Sequence, residues 1–162
     1  MKAVLNAGPI ISLSKIKLFA VLKNVFDEIL VPEAVSQEVL SKGQGKAGSQ
    51  ELEQAIQEGW IKTKKAQDHL AVRALQRFLG RGESEAIIVA LEEQADFVVI
   101  DEGKARREAV RMGADVIGTL GVLKRAQELD LVKEDLKTVL RKLKRAGFRV
   151  SRAVEQDFLG KV

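Results

Sequence analysis

Short apolar runs alternate with longer stretches whose apolar positions recur every three or four residues, the pattern of strands followed by helices. Met1 to Leu5 is the first such run. It breaks at Asn6-Ala7-Gly8-Pro9, and Pro9 suits the start of a helix through Ile10, Ile11, Leu13 and Ile16. Ala20 to Val25 continues as helix, Glu28 to Val31 reads as a second strand, and Pro32 opens a helix through Leu40. Lys42 to Ser49, rich in Gly and Lys, is a flexible loop before a helix from Gln50 to Glu58, and Trp60 to Thr63 is a short third strand. Asp68 to Leu79 and Glu83 to Gln94 read as helices parted by Gly80-Arg81-Gly82. The second carries the unbroken run Ala86 to Leu91, so it should be buried on most sides. Phe97 to Ile100 is the clearest strand and is expected at the centre of the sheet. A helix from Glu102 to Met112, a strand Asp115 to Ile117 and a helix from Thr119 to Leu129 follow. Leu136, Val139, Leu140 and Leu143 keep helical spacing, and Phe148 to Val150 is expected as a last edge strand before a final helix. Strands alternating with helices imply right-handed crossovers and a parallel sheet.

The chain has 162 residues, the size of one domain spanning 1–162, with 46% hydrophobic and 31% charged residues to build and cover a core. It contains no Cys and a single His, His69, expected on a helix surface. Thiolate zinc sites, disulfides and thiol nucleophiles are thereby excluded, and chemistry must run on carboxylates, lysines or hydroxyls. No apolar run approaches the roughly 18 residues of a membrane span, and no leader pattern opens the chain, so a cytoplasmic protein is expected. The net charge of +4 permits a polyanionic partner.

In open parallel sheets, ligands bind beyond the carboxyl ends of strands, where strand order reverses. Asn6 follows the first strand and Asp101 the fourth; Glu85 lies in the first turn of the buried helix, and Glu38 borders the apolar face of its own. Clustered oxygen donors without imidazole or thiolate suit Mg²⁺ or Mn²⁺, and such a cluster implies phosphoryl chemistry. Each residue also has a plainer reading. Asp101 can cap the next helix, Glu83 and Glu85 can complement a helix dipole, Glu38 can be a surface glutamate, and Asn6 can serve the turn. Thr119 reads as a helix N-cap whose hydroxyl can come near the cleft. Gly43 to Gly48 matches G-x-G-x-x-G, but it lies between two helices, so the dinucleotide-binding context fails. Seven basic residues and no acid fall between Lys137 and Arg152. Lys104, Arg107 and Arg111 share a helix face behind Asp101, a candidate track for a phosphate backbone.

Asn6-Ala7-Gly8-Pro9-Ile10-Ile11-Ser12-Leu13, Val31-Pro32-Glu33-Ala34-Val35 with Glu38-Val39, Gly82-Glu83-Ser84-Glu85-Ala86, Ile100-Asp101-Glu102-Gly103-Lys104-Ala105-Arg106 and Gly118-Thr119-Leu120-Gly121-Val122-Leu123 resemble, in order and over nearly the whole chain, the PIN domain family. The nearest branch is the PIN-like group of predicted nucleic-acid-binding proteins marked by the G-T-L-G-V-L turn. The resemblance implies a three-layer α/β/α fold with a central parallel sheet of five strands, the first and fourth adjacent. It also implies a Mg²⁺- or Mn²⁺-dependent ribonuclease, often a toxin held by a small antitoxin, and a homodimer. The family's acidic positions fall on Asn6, Glu38, Glu85 and Asp101, with Glu83 and Glu102 as neighbours. In that picture Glu38, Glu85 and Asp101 are catalytic and hold the ions with Asn6, while Lys104, Arg107 and Arg111 bind RNA.

One departure matters, because the family usually has Asp where this chain has Asn6. An amide oxygen still ligates a hard cation, but a unit charge about 4 Å from an ion is worth several kcal/mol at the effective dielectric of protein sites. The expectation is therefore a weakened nuclease. The alternatives are an inactive PIN-like module that binds RNA or a protein and a doubly wound small-nucleotide or phosphoryl-acceptor domain.

Overall fold

The structure is a computed structural model and describes residues 1–160. Strand β1 (Lys2–Leu5) leads into α1 (Ala7–Lys15), a 3₁₀ turn (Phe19–Val21), α2 (Leu22–Val25) and β2 (Glu28–Pro32). Helix α3 (Glu33–Gln37) then widens into a π turn (Glu38–Lys42) before α4 (Ser49–Glu58), β3 (Ile61–Lys64), α5 (His69–Leu75) and α6 (Arg81–Glu92). After β4 (Phe97–Val99) come α7 (Gly103–Arg111), β5 (Val116–Ile117), α8 (Thr119–Glu128), α9 (Leu136–Arg145) and α10 (Arg152–Phe158).

The five strands form one parallel sheet in the order β3-β2-β1-β4-β5. Side chains alternate across it, as a period of two demands. Ala3, Leu5, Ile29, Val31 and Val99 join a core with α1, α2, α8 and α9, while Val4, Leu30, Val98 and Ile100 join a second core with α5, α6 and α7. The result is the predicted three-layer α/β/α architecture. Buried on both faces, the middle strands read as apolar runs instead of alternating ones.

Several details differ from the sequence expectation. β4 is an interior strand, paired with β1 and β5, while the middle place goes to β1 because the chain builds β2 and β3 on one side of it and then returns to place β4 on the other. Pro32 is both the last residue of β2 and the N-cap of α3, so it opens the expected helix, which passes Leu40 as a π turn. No strand forms at Phe148 to Val150. There Gly147, at φ +97°, closes the end of α9, and the Phe148 N–H donates to the Leu143 carbonyl at 2.9 Å instead of to a sheet edge. The Gly43–Gly48 segment is a chain of turns, as its context implies.

Candidate active site

Strand order reverses between β1 and β4, so the crevice expected of such a sheet opens where these two strands end. Register carries the site. Leu5 pairs with Val99, and the Asn6 N–H extends the ladder to the Val99 carbonyl at 3.1 Å, which sets Asn6 and Asp101 side by side at the carboxyl edge. Both line a cleft of about 680 Å³ together with Glu38, Glu83 and Glu102.

Asn6 occupies the N-cap position of α1, yet its side chain caps nothing. It is 8% exposed, and no hydrogen bond to its amide occurs among the described residues. Among the described residues only Ser14 Oγ is a side-chain polar atom both buried and without a partner, so the Asn6 amide, though its residue is mostly covered, opens on the cleft and is free to meet water, a cation or a ligand there. Asp101 is bound at both oxygens: Oδ1 accepts the Thr119 N–H at 2.7 Å and Oδ2 accepts the Thr119 hydroxyl at 2.6 Å. Burial pushes its carboxyl above the usual carboxylate range, against the opposing pull of the two Thr119 bonds and of the Arg106 guanidinium. Glu102, not Asp101, caps α7, its two oxygens accepting the N–H groups of Lys104 and Ala105 at 3.0 and 2.7 Å. The bond from Ala105, aided by that from Lys104 and by the charges of Arg107 and Lys104, holds the Glu102 carboxyl below its ordinary value against some desolvation. The N-cap position of α8 belongs to Gly118; Thr119 is its first helical residue, and its hydroxyl is spent on Asp101.

Glu38 stands exposed at the start of the π turn and makes no hydrogen bond or ion pair among the described residues. A methyl group placed on Gly82 would meet Glu38 Oε2 at 3.1 Å and Asn6 Oδ1 at 3.7 Å. These two oxygens therefore face one small space that only glycine leaves open. On the other wall a Cβ added at Gly8 would stand 4.0 Å from Asp101 Oδ2, an ordinary contact that places Gly8 beside this carboxylate without requiring glycine.

Glu85 is placed differently. It is 6% exposed and does not line the cleft. Its Oε1 accepts the N–H of Ala34 at 3.1 Å and its Oε2 the Arg81 Nε at 3.0 Å. Ala34 lies in the first turn of α3, where N–H groups lack intrahelical partners, so Glu85 caps a neighbouring helix from the side. Glu83 takes the place on the cleft wall while its Oε2 accepts the Gly80 N–H at 3.1 Å.

The cations of the rim are Lys15, Lys42, Arg81 and Arg149. Lys15 Nζ also donates to the Ala146 carbonyl at 3.1 Å, tying the segment after α9 to α1. Lys42 stands four residues after Glu38 and Arg81 four before Glu85, spacings legible in the sequence once those acids are singled out. Lys104, Arg107 and Arg111 are exposed on α7 outside the cleft, and Arg111 is paired with Glu108 at 2.8 Å.

Among the described residues no three acidic or imidazole groups stand close enough to hold a metal ion as they are. The donor set nevertheless fits one hard divalent cation. Asn6 offers an unpartnered amide oxygen, Glu38 an unpartnered carboxylate, and Asp101 a carboxylate with acceptor capacity beyond its Thr119 bonds. Two carboxylates match the charge of a single divalent ion; Glu85 adds none, being neutralised by Arg81.

A family model described as a PIN domain matches residues 2–162. The chain belongs to the PIN domain family. PIN domains are generally nucleases and typically depend on divalent metal ions. A solved structure of a PilT N-terminus domain protein from the hyperthermophilic archaeon Sulfolobus solfataricus P2 is similar, with a TM-score of 0.50, 16% identity and coverage of 83% of this chain and 97% of that one. At that identity the likeness speaks for the fold alone. Comparison with curated proteins found no match. No helix among the described residues of this PIN domain is long and apolar enough to cross a membrane.

Proposed function

We propose that the cleft is the site of a cytoplasmic endoribonuclease that works with one Mg²⁺ or Mn²⁺ ion and is weakened by Asn6. What carries this reading is the meeting of Asn6, Asp101 and Glu38 at the β1–β4 reversal inside a rim of four cations. When bound, the cation supplies neutralisation of phosphate charge and a more acidic water. Asn6 Oδ1, Asp101 and Glu38 are its holders in this chain. Lys15, Lys42, Arg81 and Arg149 hold the phosphates on either side of the scissile bond, and Lys104 and Arg107 extend that hold along α7. Glu38, with the carboxylate oxygen it does not give to the cation, takes the proton of the attacking water, and the oxygen of the leaving nucleotide takes a proton from solvent as the phosphorus–oxygen bond breaks. Glu85 acts through Arg81, fixing the guanidinium at the rim. Service as the toxin of a toxin–antitoxin pair, with a small protein antitoxin, is part of the same proposal and rests on family membership.

The test is a Mn²⁺ titration with mixed single-stranded RNA and DNA oligonucleotides, run on the wild type and on Asp101→Asn. Cleavage of RNA that needs the ion and disappears in the variant is the expected result. Cleavage that persists unchanged in Asp101→Asn overturns the assignment.

A second reading, a PIN module that binds RNA or a protein without cutting, is favoured by the amide at Asn6 and by the paired charge of Glu85. Tight RNA binding with no cleavage at any Mn²⁺ concentration selects it.

A further inference from the structure

A strongly basic surface lies outside the cleft, on α9. One face of this helix, Val139, Leu140 and Leu143, is buried in the core. The opposite face carries Lys137, Arg141 and Arg145 at intervals of four residues, and Arg149 follows in the segment beyond the helix end. Residues four apart form a continuous ridge with a rise of about 6 Å per step. The cations that flank the ridge are already engaged, Lys142 with Glu134 and Lys144 with Glu155, each at 2.7 Å. Lys137, Arg141, Arg145 and Arg149 form no ion pair among the described residues, and all four are exposed. The Asp135 carboxylate lies near Lys137 and Arg141 but is spent on the Thr138 N–H at 2.7 Å. Unpaired like charges in a row are costly to maintain unless a polyanion meets them.

The row has a direction, because the segment that follows α9 directly, Ala146 to Arg149, lines the cleft and so puts the C-terminal end of the helix at its rim. We infer that the ridge Lys137–Arg141–Arg145 is a track that holds the phosphates of a single nucleic-acid strand as it enters or leaves the cleft through Arg149. This rests on the ribonuclease or RNA-binding reading of the cleft and adds to it a longer substrate footprint. The step along the ridge is close to the distance between successive phosphates of an extended single strand. Three features favour nucleic acid over an acidic protein or a membrane. The apolar face of α9 is already covered, so the helix has nothing to insert into lipid. None of the large exposed hydrophobic residues, Leu70, Phe78, Val110, Leu129 and Val154 among them, interrupts the ridge, whereas protein interfaces are anchored on such side chains. The track also ends at the cleft that binds the same strand.

The test uses the full chain in EDTA, so that nothing is cut, and fluorescein-labelled oligouridylates of about 4 and 16 nucleotides followed by anisotropy. The wild type is expected to bind the longer oligomer at least tenfold more tightly than the shorter. Replacing Lys137, Arg141 and Arg145 together by Gln should remove that advantage while leaving the 4-mer unaffected. It should also lower the slope of log affinity against log salt by about 2, three phosphate contacts at about 0.7 each. A second variant, Lys137→Arg with Arg141→Lys and Arg145→Lys, keeps the charges and should restore the wild-type affinity and slope, which guards against a folding defect in the first. Unchanged binding of the 16-mer by the Gln variant overturns the ridge alone. Equal losses for both lengths overturn it as well, as does tighter binding of poly-glutamate than of the 16-mer. A wild type that binds neither oligomer overturns the reading of the cleft together with the ridge.

Discussion

Thr119 holds both oxygens of Asp101, its N–H on Oδ1 and its hydroxyl on Oδ2, and so fixes the carboxylate at the end of β4 against the first turn of α8. Those bonds do not offset the cost of burying the charge, and the Asp101 carboxyl titrates above its ordinary value of about 3.9. A raised value means that the fold favours the protonated acid. The corresponding stability is complete below the unfolded value and is lost as pH rises through the folded one. At pH 7 the ionised Asp101 therefore weakens the fold. Asp101→Asn keeps an acceptor for the Thr119 N–H and removes the charge, so in the absence of divalent ions it should raise the melting temperature by about 2–4 °C at pH 7, the effect of about 1 kcal/mol in a domain of this size. The gain should shrink as pH falls toward 4. Calorimetric melts at the two pH values check this, and a lower melting temperature at pH 7 contradicts it.

Gly82 should prove replaceable for stability and not for function. Alanine there gains helix propensity, about 1 kcal/mol at most so near a helix start. Its methyl group would press on Val35 Cγ2 at 3.2 Å and on Glu38 Oε2 at 3.1 Å. The Glu38 side chain is flexible and can yield, but it yields by leaving the space it shares with Asn6. Gly82→Ala is expected to change stability by less than about 1 kcal/mol while weakening Mn²⁺ binding at least tenfold by isothermal titration. Unaltered Mn²⁺ affinity would remove Glu38 from the cation site.

Glu85 is predicted to matter to the fold first. Glu85→Ala leaves the buried Ala34 N–H without a partner and should cost about 1–3 kcal/mol in urea unfolding. Glu85→Gln retains an oxygen for that N–H and should cost less than about 1 kcal/mol, since the lost partner, Arg81, is 60% exposed and stays solvated. Mn²⁺ affinity should change by less than about threefold in Glu85→Gln. A tenfold loss at unchanged stability would instead make Glu85 a holder of the ion.

Every strand in the sheet was legible because local composition decided it: Phe97 to Ile100 cannot read as anything but a buried strand, and Asn6-Ala7-Gly8-Pro9 must turn. The false sixth strand came from the same logic. Phe148 and Val150 have strand propensity, but Gly147 lets the chain close α9 in a left-handed cap, and the Phe148 N–H is then spent on Leu143. The oxygen donors Asn6 and Asp101, following β1 and β4, are legible for a topological reason, since both sit at carboxyl ends of strands that the order makes neighbours. Glu83 and Glu85 were not separable in sequence. Helix α6 begins at Arg81, two residues before the expected start, which puts Glu83 at the cleft wall and turns Glu85 toward α3, and helix starts are the least certain feature of any sequence pattern. The rim cations Lys15 and Arg149, 134 positions apart, meet only through packing of the segment after α9 on α1, which no local pattern encodes.

Asn6 decides between a weakened enzyme and a binding module, and one substitution separates them. Asn6→Asp places a carboxylate 8% exposed beside Asp101, within the space that Glu38 also faces. Without a cation the new charge is desolvated and repelled by its neighbours, so the melting temperature should fall by several degrees. With a cation the sign reverses, because a charge about 4 Å from each unit of ionic charge is worth about 4 kcal/mol at the effective dielectric of such sites, and part of that survives the cost of burial. Mn²⁺ affinity is therefore expected to rise at least tenfold, and the stabilisation that added Mn²⁺ gives should grow in step, by RT ln(1 + [L]/Kd). If cleavage of single-stranded RNA rises with it, the native chain is a nuclease limited by its ion. If the ion binds tightly and no cleavage appears, the remaining residues bind RNA without cutting it, and the second reading holds. Should Asn6→Asp leave Mn²⁺ affinity where it was, Asn6 does not face the ion, and its unpartnered amide then serves a water or the nucleic acid itself.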